Sequence, residues 1–291
     1  MNHLNLQALP PLPELRLARI PASSQHRYRG DRFSYLEKGP PTAPVILMLH
    51  GIGAHAAYFR FQLDELSTNH RVIAWNAPGY MLSDAFKPEQ IQAADYAQAV
   101  SDFAEALGLD RFILTGNSFG SAVAQAFAIA HPERVQALVL TGTGVGQTQL
   151  SPSRRDAFLN RIERVQLGSY QYADSGIDHM IGPDTPDSVR QMMLEITRAI
   201  QPLGLKQAVS FRLSDFYTPA LAHRLNMPVL LLQGDLDRTN PREENADLLL
   251  PQLTNGTLEI WANTGHLPEI EQPLRFARTL HSFLQKHLVS N

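Results

Sequence analysis

Leu114-Thr115-Gly116-Asn117-Ser118-Phe119-Gly120-Ser121 is the stretch whose reading decides the fold. An apolar run over residues 111–115 leads into it as a strand, and a small-residue run over 121–130 leads out of it as a helix. Between them stands Gly-x-Ser-x-Gly, which is a nucleophile elbow when a strand precedes it and a helix follows. The requirement is steric. A serine held up on so tight a turn crowds its neighbours, and Gly116 and Gly120 remove the Cβ atoms that would collide there. The bare pattern recurs by chance, so the flanking strand and helix carry the inference.

Working outward, residues 45–49, 71–75, 135–140 and 228–233 are continuous apolar runs, as in strands covered on both faces. Residues 256–261 read as a further strand. Helices are predicted over 57–66, 90–107, 243–250 and 273–287. In the second, Ile91, Ala94, Ala97, Val100, Phe103, Ala104 and Leu107 recur at helical spacing and Gly108 supplies the stop. Strands alternating with helices predict an α/β fold with a mostly parallel central sheet covered by helices.

Ahead of this pattern, residues 1–21 carry Pro10, Pro11, Pro13 and Pro21 and read as an irregular arm with a short extended stretch at 15–20. Gly30-Asp31 suggests a hairpin turn. From Val145 to Leu225 no buried-strand run occurs. Helical patterns at 154–167, 186–200 and 205–211 are broken by Gly168, Gly176, Gly182-Pro183 and Pro202. The expected division is an N-terminal arm (1–26), a core (27–144 and 226–291) and a helical cap (145–225) inserted after the sixth strand.

The chain has 291 residues, 44% of them hydrophobic, enough for one large core with an insertion. A formal net charge of -3 and the lack of a Lys/Arg run speak against nucleic acid as a partner. The absence of cysteine excludes disulfides, a Cys nucleophile and thiolate metal sites. Residues 1–21 show neither a continuous apolar run nor a basic start, so no signal peptide is expected. Runs such as 45–49 and 229–232 are too short to cross a membrane. The expectation is a cytoplasmic protein with a small-molecule substrate; homo-oligomerisation is left open.

Serine needs a base in reach, and the base needs an orienting acid. For this elbow the chain order is Ser, Asp, His. Both partners belong in loops after late strands, where ligands gather. Gly234-Asp235-Leu236-Asp237-Arg238 offers two carboxylates after one such strand. Asp237 is taken as the acid, and Asp235 as a carboxylate accepting local backbone donors. Asn263-Thr264-Gly265-His266-Leu267-Pro268 follows the next strand and supplies His266 as the general base. With eleven histidines in the chain, it is position that singles this one out. An oxyanion needs two backbone N–H donors. Phe119, next to the nucleophile, gives one and Ile52, in the loop after residue 49, the other, with Gly51 or Gly53 one register step away. His50 reads as a brace of that loop. No cofactor and no metal is expected: His-Glu-x-x-His is absent and the histidines do not cluster at ligand spacing.

The His50-Gly51 turn, Pro78-Gly79, the Ser118 elbow, Gly234-x-x-Asp237 and Gly265-His266 stand in an order that resembles the alpha/beta-hydrolases, from Arg27 to Leu288. The resemblance implies that the insertion is a cap over the active site. Gly116-Asn117-Ser118 and Pro78-Gly79-Tyr80-Met81-Leu82-Ser83-Asp84 are similar to stretches of the meta-cleavage-product hydrolases, which cleave a carbon–carbon bond in vinylogous diketo acids. This chain departs from them at Gly51-Ile52-Gly53-Ala54, where they carry a longer glycine-rich loop, and at Leu267, where they commonly have Trp. Their carboxylate-binding cap arginine would correspond to Arg190; His50 and Gly51 would also lie against the substrate.

The expected function is therefore a serine hydrolase acting through an acyl-enzyme on a small carboxylic ester or lactone. The alternative is carbon–carbon hydrolysis of a 2-hydroxy-6-oxo-dienoate. A non-catalytic binding protein on the same fold is a further reading, since fold alone does not decide function. Serine at 118 argues against haloalkane dehalogenase and epoxide hydrolase chemistry, which would need an aspartate there. A haloperoxidase-like side activity and a cofactor-independent dioxygenase stay as lesser options.

Overall fold

A computed structural model describes residues 9–146, 152–166 and 174–288. Within them one sheet is built from β1 (Leu15–Arg19), β2 (Arg32–Lys38), β3 (Val45–Leu49), β4 (Arg71–Trp75), β5 (Phe112–Asn117), β6 (Val135–Thr141), β7 (Val229–Gly234) and β8 (Gly256–Trp261). Their spatial order is β1-β2-β4-β3-β5-β6-β7-β8. β2 runs antiparallel to both of its neighbours, and all other pairs are parallel. The helices are α1 (Arg60–Glu65), α2 (Ala93–Ala106), α3 (Phe119–Ala130), α4 (Pro152–Gln166), α5 (Asp174–Met180), α6 (Asp187–Arg198), α7 (Pro202–Arg212), α8 (Ala246–Leu249), α9 (Pro268–Glu271) and α10 (Pro273–Leu288).

The continuous apolar runs are explained by two separate cores. Successive strand residues point to opposite faces. Leu47, Leu49, Trp75, Leu114, Leu140 and Leu231 enter a core with Val100 and Phe103 of α2 and Val123 and Phe127 of α3. Ile46, Met48, Val72, Ile113, Val139 and Leu230 enter the other with Phe61 and Leu63 of α1 and Phe276, Leu280 and Phe283 of α10. Each buried leucine contributes roughly 1.5–3 kcal/mol. α3 is buried along nearly its whole length, and Ala122, Ala124, Ala126 and Ala128 keep it slim enough to lie close to the sheet.

The helical insertion leaves after β6 and returns before β7. Ile177 of α5 and Val189, Met192, Met193 and Ile196 of α6 extend the α1/α10 core. Ala208 and Phe211 of α7 join the other. The cap thus packs into both cores at the carboxyl ends of the strands. α5 was not anticipated, and α7 begins at Pro202, where a proline suits the first helical turn because that N–H has no intrahelical partner. Gly168, expected to break a helix, lies outside the described residues.

The extended stretch expected at 15–20 is the edge strand β1, paired from Leu15↔Leu36 to Arg19↔Arg32. Two other local expectations are corrected. The connection to β2 is no tight hairpin at Gly30-Asp31. It loops inward so that Ser24 and Tyr28 donate to the buried Asp102 carboxylate at 2.7 and 2.8 Å. The helix expected over 243–250 is interrupted at Asn245 and gives way at Pro251, leaving only the single turn α8 between 3-10 turns.

Candidate active site

Ser118 sits between β5 and α3 with φ 53° and ψ −113°. A non-glycine residue in such a conformation stores about 1–3 kcal/mol, which the surroundings must hold in place. They do so at both ends. The Ser118 N–H donates to the Thr141 carbonyl at 3.0 Å, and its own carbonyl accepts from the Ser121 N–H at 3.0 Å. The flanking glycines are required by contact: a Cβ on Gly116 would overlap the Gly120 carbonyl, and one on Gly120 would overlap the carbonyl of Leu49.

Asp237 follows β7, and His266 follows β8. Both are buried, and Nδ1 of His266 lies 2.9 Å from Oδ2 of Asp237. The other oxygen, Oδ1, accepts from the backbone N–H groups of Thr239 and Asn240 at 2.9 Å each. Gln233 Nε2 donates to Oδ2, also at 2.9 Å. Burial by itself would raise the Asp237 carboxyl; the positive charge available to His266 and these donors outweigh it and hold the group below its ordinary range. An ionised carboxylate only accepts, so the proton between the two belongs to Nδ1 of His266, leaving Nε2 as the remaining ring nitrogen. Asp235 instead accepts from the Thr264 N–H at 3.2 Å.

The loop around His266 is fastened from two sides. Glu271 of α9 accepts from the N–H groups of Gly265 and Leu267 and also from Gly182 in the cap, at 2.9, 3.0 and 2.6 Å. Asn117, next to the nucleophile, donates from Nδ2 to the His266 carbonyl and to Thr141 Oγ1, each at 3.2 Å.

A cavity of about 60 Å³, room for about two water molecules, opens between these parts. Gly51, Ile52, Gly53, Ala54 and Tyr58 form one wall, Asn117, Ser118, Thr239, His266 and Leu267 the floor, and Met180, Met193 and Thr197 of the cap the roof. Ser118, His266, Ile52 and Gly51 are thus brought together. Phe119 opens α3, where the first N–H groups lack intrahelical partners. His50 and Arg190 are not brought to the cavity. Nδ1 of His50 donates to the Gly51 carbonyl at 2.9 Å and Nε2 accepts from the Ala77 N–H at 3.1 Å, so both ring nitrogens serve the loop. Burial lowers the His50 pKa to about 3, consistent with a neutral ring. Arg190 is drawn away by Asp178, with bonds of 2.8 and 3.2 Å.

Tyr58, Thr197, Thr239, Glu269 and Glu271 were not singled out in the sequence. Only Glu271 had a usable signal, a carboxylate five residues past the candidate base and able to reach back to its loop. Among the described residues, no group of three His, Asp or Glu side chains is placed to hold a metal ion. Among them too, no helix is long and apolar enough to cross a membrane.

Residues 44–273 match the family model of the alpha/beta hydrolase fold. The chain belongs to that family. Among alpha/beta hydrolases, it is 27% identical over 259 residues to 2-hydroxy-6-oxononadienedioate/2-hydroxy-6-oxononatrienedioate hydrolase 2 of Pseudomonas putida, covering 84% of this chain and 88% of that one. It is also 27% identical to 2-hydroxy-6-oxo-6-phenylhexa-2,4-dienoate hydrolase of Comamonas testosteroni, over 87% of this chain and 91% of that one. In three dimensions it is similar to a thermophilic esterase from Thermogutta terrifontis, with a TM-score of 0.78 and 23% identity over 94% of this chain and 98% of the esterase. At that identity the likeness speaks for the fold.

Proposed function

We propose that this alpha/beta hydrolase is an enzyme acting on a small organic substrate by serine chemistry. Ser118 is the nucleophile. His266 takes its proton and later returns it to the leaving group, and Asp237 orients the imidazole and stabilises its charged form. The N–H groups of Phe119 and Ile52 receive the oxyanion. What carries the reading is the buried 2.9 Å bond between Asp237 and His266 beside a cavity that His266 shares with Ser118 on its strained turn.

For the bond broken, carbon–carbon hydrolysis of a 2-hydroxy-6-oxo-dienoate comes first. Four relatives aligned over more than four-fifths of the chain are named for that chemistry. In this reaction His266 first helps the dienol become a ketone. Ser118 then attacks the carbonyl, the fragment leaves as a carbanion stabilised by its conjugated acid and takes up a proton, and water, deprotonated by His266, cleaves the acyl-enzyme and frees Ser118.

Ester or lactone hydrolysis, first in the sequence reading, becomes the second. The cavity wall favours it: Ile52, Ala54, Met180, Met193 and Leu267 are apolar, and Arg190, the partner expected for a dienoate carboxylate, is paired with Asp178.

Rates on a 2-hydroxy-6-oxo-dienoate and on short p-nitrophenyl esters, for wild type and Ser118→Ala, test both. A higher kcat/KM on the dienoate supports the first reading, and turnover of esters alone replaces it by the second. The serine mechanism is overturned if Ser118→Ala keeps full activity, or if wild type turns over neither substrate and resists a fluorophosphonate.

A further inference from the structure

Glu269 lies three residues past His266 on the short helix α9, and its side chain is fully buried. A carboxylate so enclosed is costly unless it is held by donors or performs some task. Two hydroxyls meet its Oε1: Tyr58 donates at 2.8 Å and Thr141 at 2.9 Å. Tyr58 belongs to the cavity wall. Thr141, at the end of β6, accepts in turn from Asn117, the residue before the nucleophile. Gln62 of α1 donates to the Glu269 backbone carbonyl at 2.6 Å. The second carboxyl oxygen, Oε2, is buried and meets no hydrogen-bond partner among the described residues.

One buried carboxyl therefore joins the cavity wall, the elbow strand and the loop of the candidate base. The titratable groups that act on it are Tyr58 from the wall and His266 from its own loop, and Glu271 of its own helix acts on Tyr58. The Tyr58 hydroxyl favours an ionised Glu269 by its hydrogen bond, and His266 favours it by its charge. Interactions between charges are reciprocal, so an ionised Glu269 is a negative charge that attracts positive charge at the His266 ring.

We propose that Glu269 is a positioning residue of the Ser118 site. Through Tyr58, Thr141 and Asn117 it fixes the wall and the elbow, and its negative charge supports the imidazolium that His266 must become as Ser118 attacks. The proposal rests on the serine mechanism given above. Asp237 remains the group bonded to the ring, and Glu269 adds a second negative charge that is present only when its own proton is off. That proton comes off around neutral pH, since burial raises the carboxyl to about 7. The support is therefore switched on across the range in which the enzyme would be assayed.

The test is the ratio of wild-type to Glu269→Gln kcat as a function of pH, on whichever of the two substrates is turned over. Glutamine has the shape of the protonated acid and lacks the charge. Above neutral pH the ratio is expected to reach roughly tenfold, the effect of one pH unit of lost stabilisation, with KM changed less than about twofold. Toward about pH 5 it should close to one. A residue that only fills space would give a ratio independent of pH, and that result overturns the proposal. Tyr58→Phe serves if Glu269→Gln does not fold. Losing a donor to the ionised form should move the wild-type step to higher pH, and an unmoved step overturns the proposal on its own. Fluorophosphonate labelling separates the two levels. A flat ratio in a protein that labels sinks the role of Glu269 alone. A wild type that neither labels nor turns over substrate sinks the serine mechanism, and this role with it.

Discussion

Glu269→Gln also makes a prediction about folding that needs no substrate. The native carboxyl is raised from 4.5 to about 7 because burial penalises its charge. The unfolded chain releases that proton near the ordinary value. Between the two values the native state holds a proton that the unfolded state has lost, so stability falls as pH rises through this window. It is greatest below 4.5 and the loss is complete above about 7. At about 1.4 kcal/mol per pH unit, the gap amounts to about 3 kcal/mol. Glutamine does not titrate and escapes the loss. The difference in unfolding free energy, Glu269→Gln minus wild type, is therefore expected to grow by about 3 kcal/mol from about pH 4 to about pH 8. Urea unfolding of both proteins at several pH values measures it. Titrations of groups that do not interact with Glu269 are common to the two proteins and cancel. A difference that stays constant with pH, or that grows toward acid, would refute the assignment of a raised, buried carboxyl at 269.

Asp237→Asn is expected to lower kcat on the order of 10³–10⁴-fold by giving His266 the wrong tautomer, whereas Asp235→Asn should cost less than about tenfold; steady-state rates of the two variants side by side decide between the carboxylates. Gly120→Ala pushes a methyl group against the Leu49 and His50 carbonyls, which are backbone and cannot swing aside. It should destabilise by about 3 kcal/mol and abolish fluorophosphonate labelling, read by denaturant unfolding and by mass of the adduct. Leu231→Ala, in the core between the sheet and α2/α3, should cost about 2–5 kcal/mol without changing KM, measured by urea unfolding and substrate saturation.

Most of the sheet was legible because strands buried on both faces leave uninterrupted apolar runs, as at Ile46, Leu47, Met48 and Leu49. β1 shows in the sequence only as a short extended stretch, because Leu15 and Leu17 are exposed on an edge strand flanked by prolines. α5 and α9 are too short to show a helical period. Ser118, Asp237 and His266 stand out in the sequence as candidates because each closely follows a strand end, where position and residue type speak together. The cavity wall was harder to read. Thr197 and Met193 reach it because α6 packs against the 3-10 turn Ala56–Phe59, which carries Tyr58. Glu269 looks in the sequence like one of two surface glutamates in Pro268-Glu269-Ile270-Glu271. It is buried by Tyr58, Gln62 and Thr141, all more than a hundred residues away along the chain.

The cap leaves the sheet after β6 and rejoins it at β7, yet these two strands are neighbours, hydrogen-bonded in register from Leu138↔Val229 to Thr141↔Leu232. Above the strands, Gly146 bridges Tyr217 and the Thr218 N–H donates to the Val145 carbonyl at 2.9 Å, so the chain entering the cap is tied to the chain leaving it. Selectivity and chemistry can then be inherited separately. The roof can lengthen or shorten while the spacing of Ser118, Asp237 and His266, set by β5, β7 and β8, is left alone. A graft of residues 145–225 from a relative of different substrate range would be an exchange of appetite with the cutting edge retained.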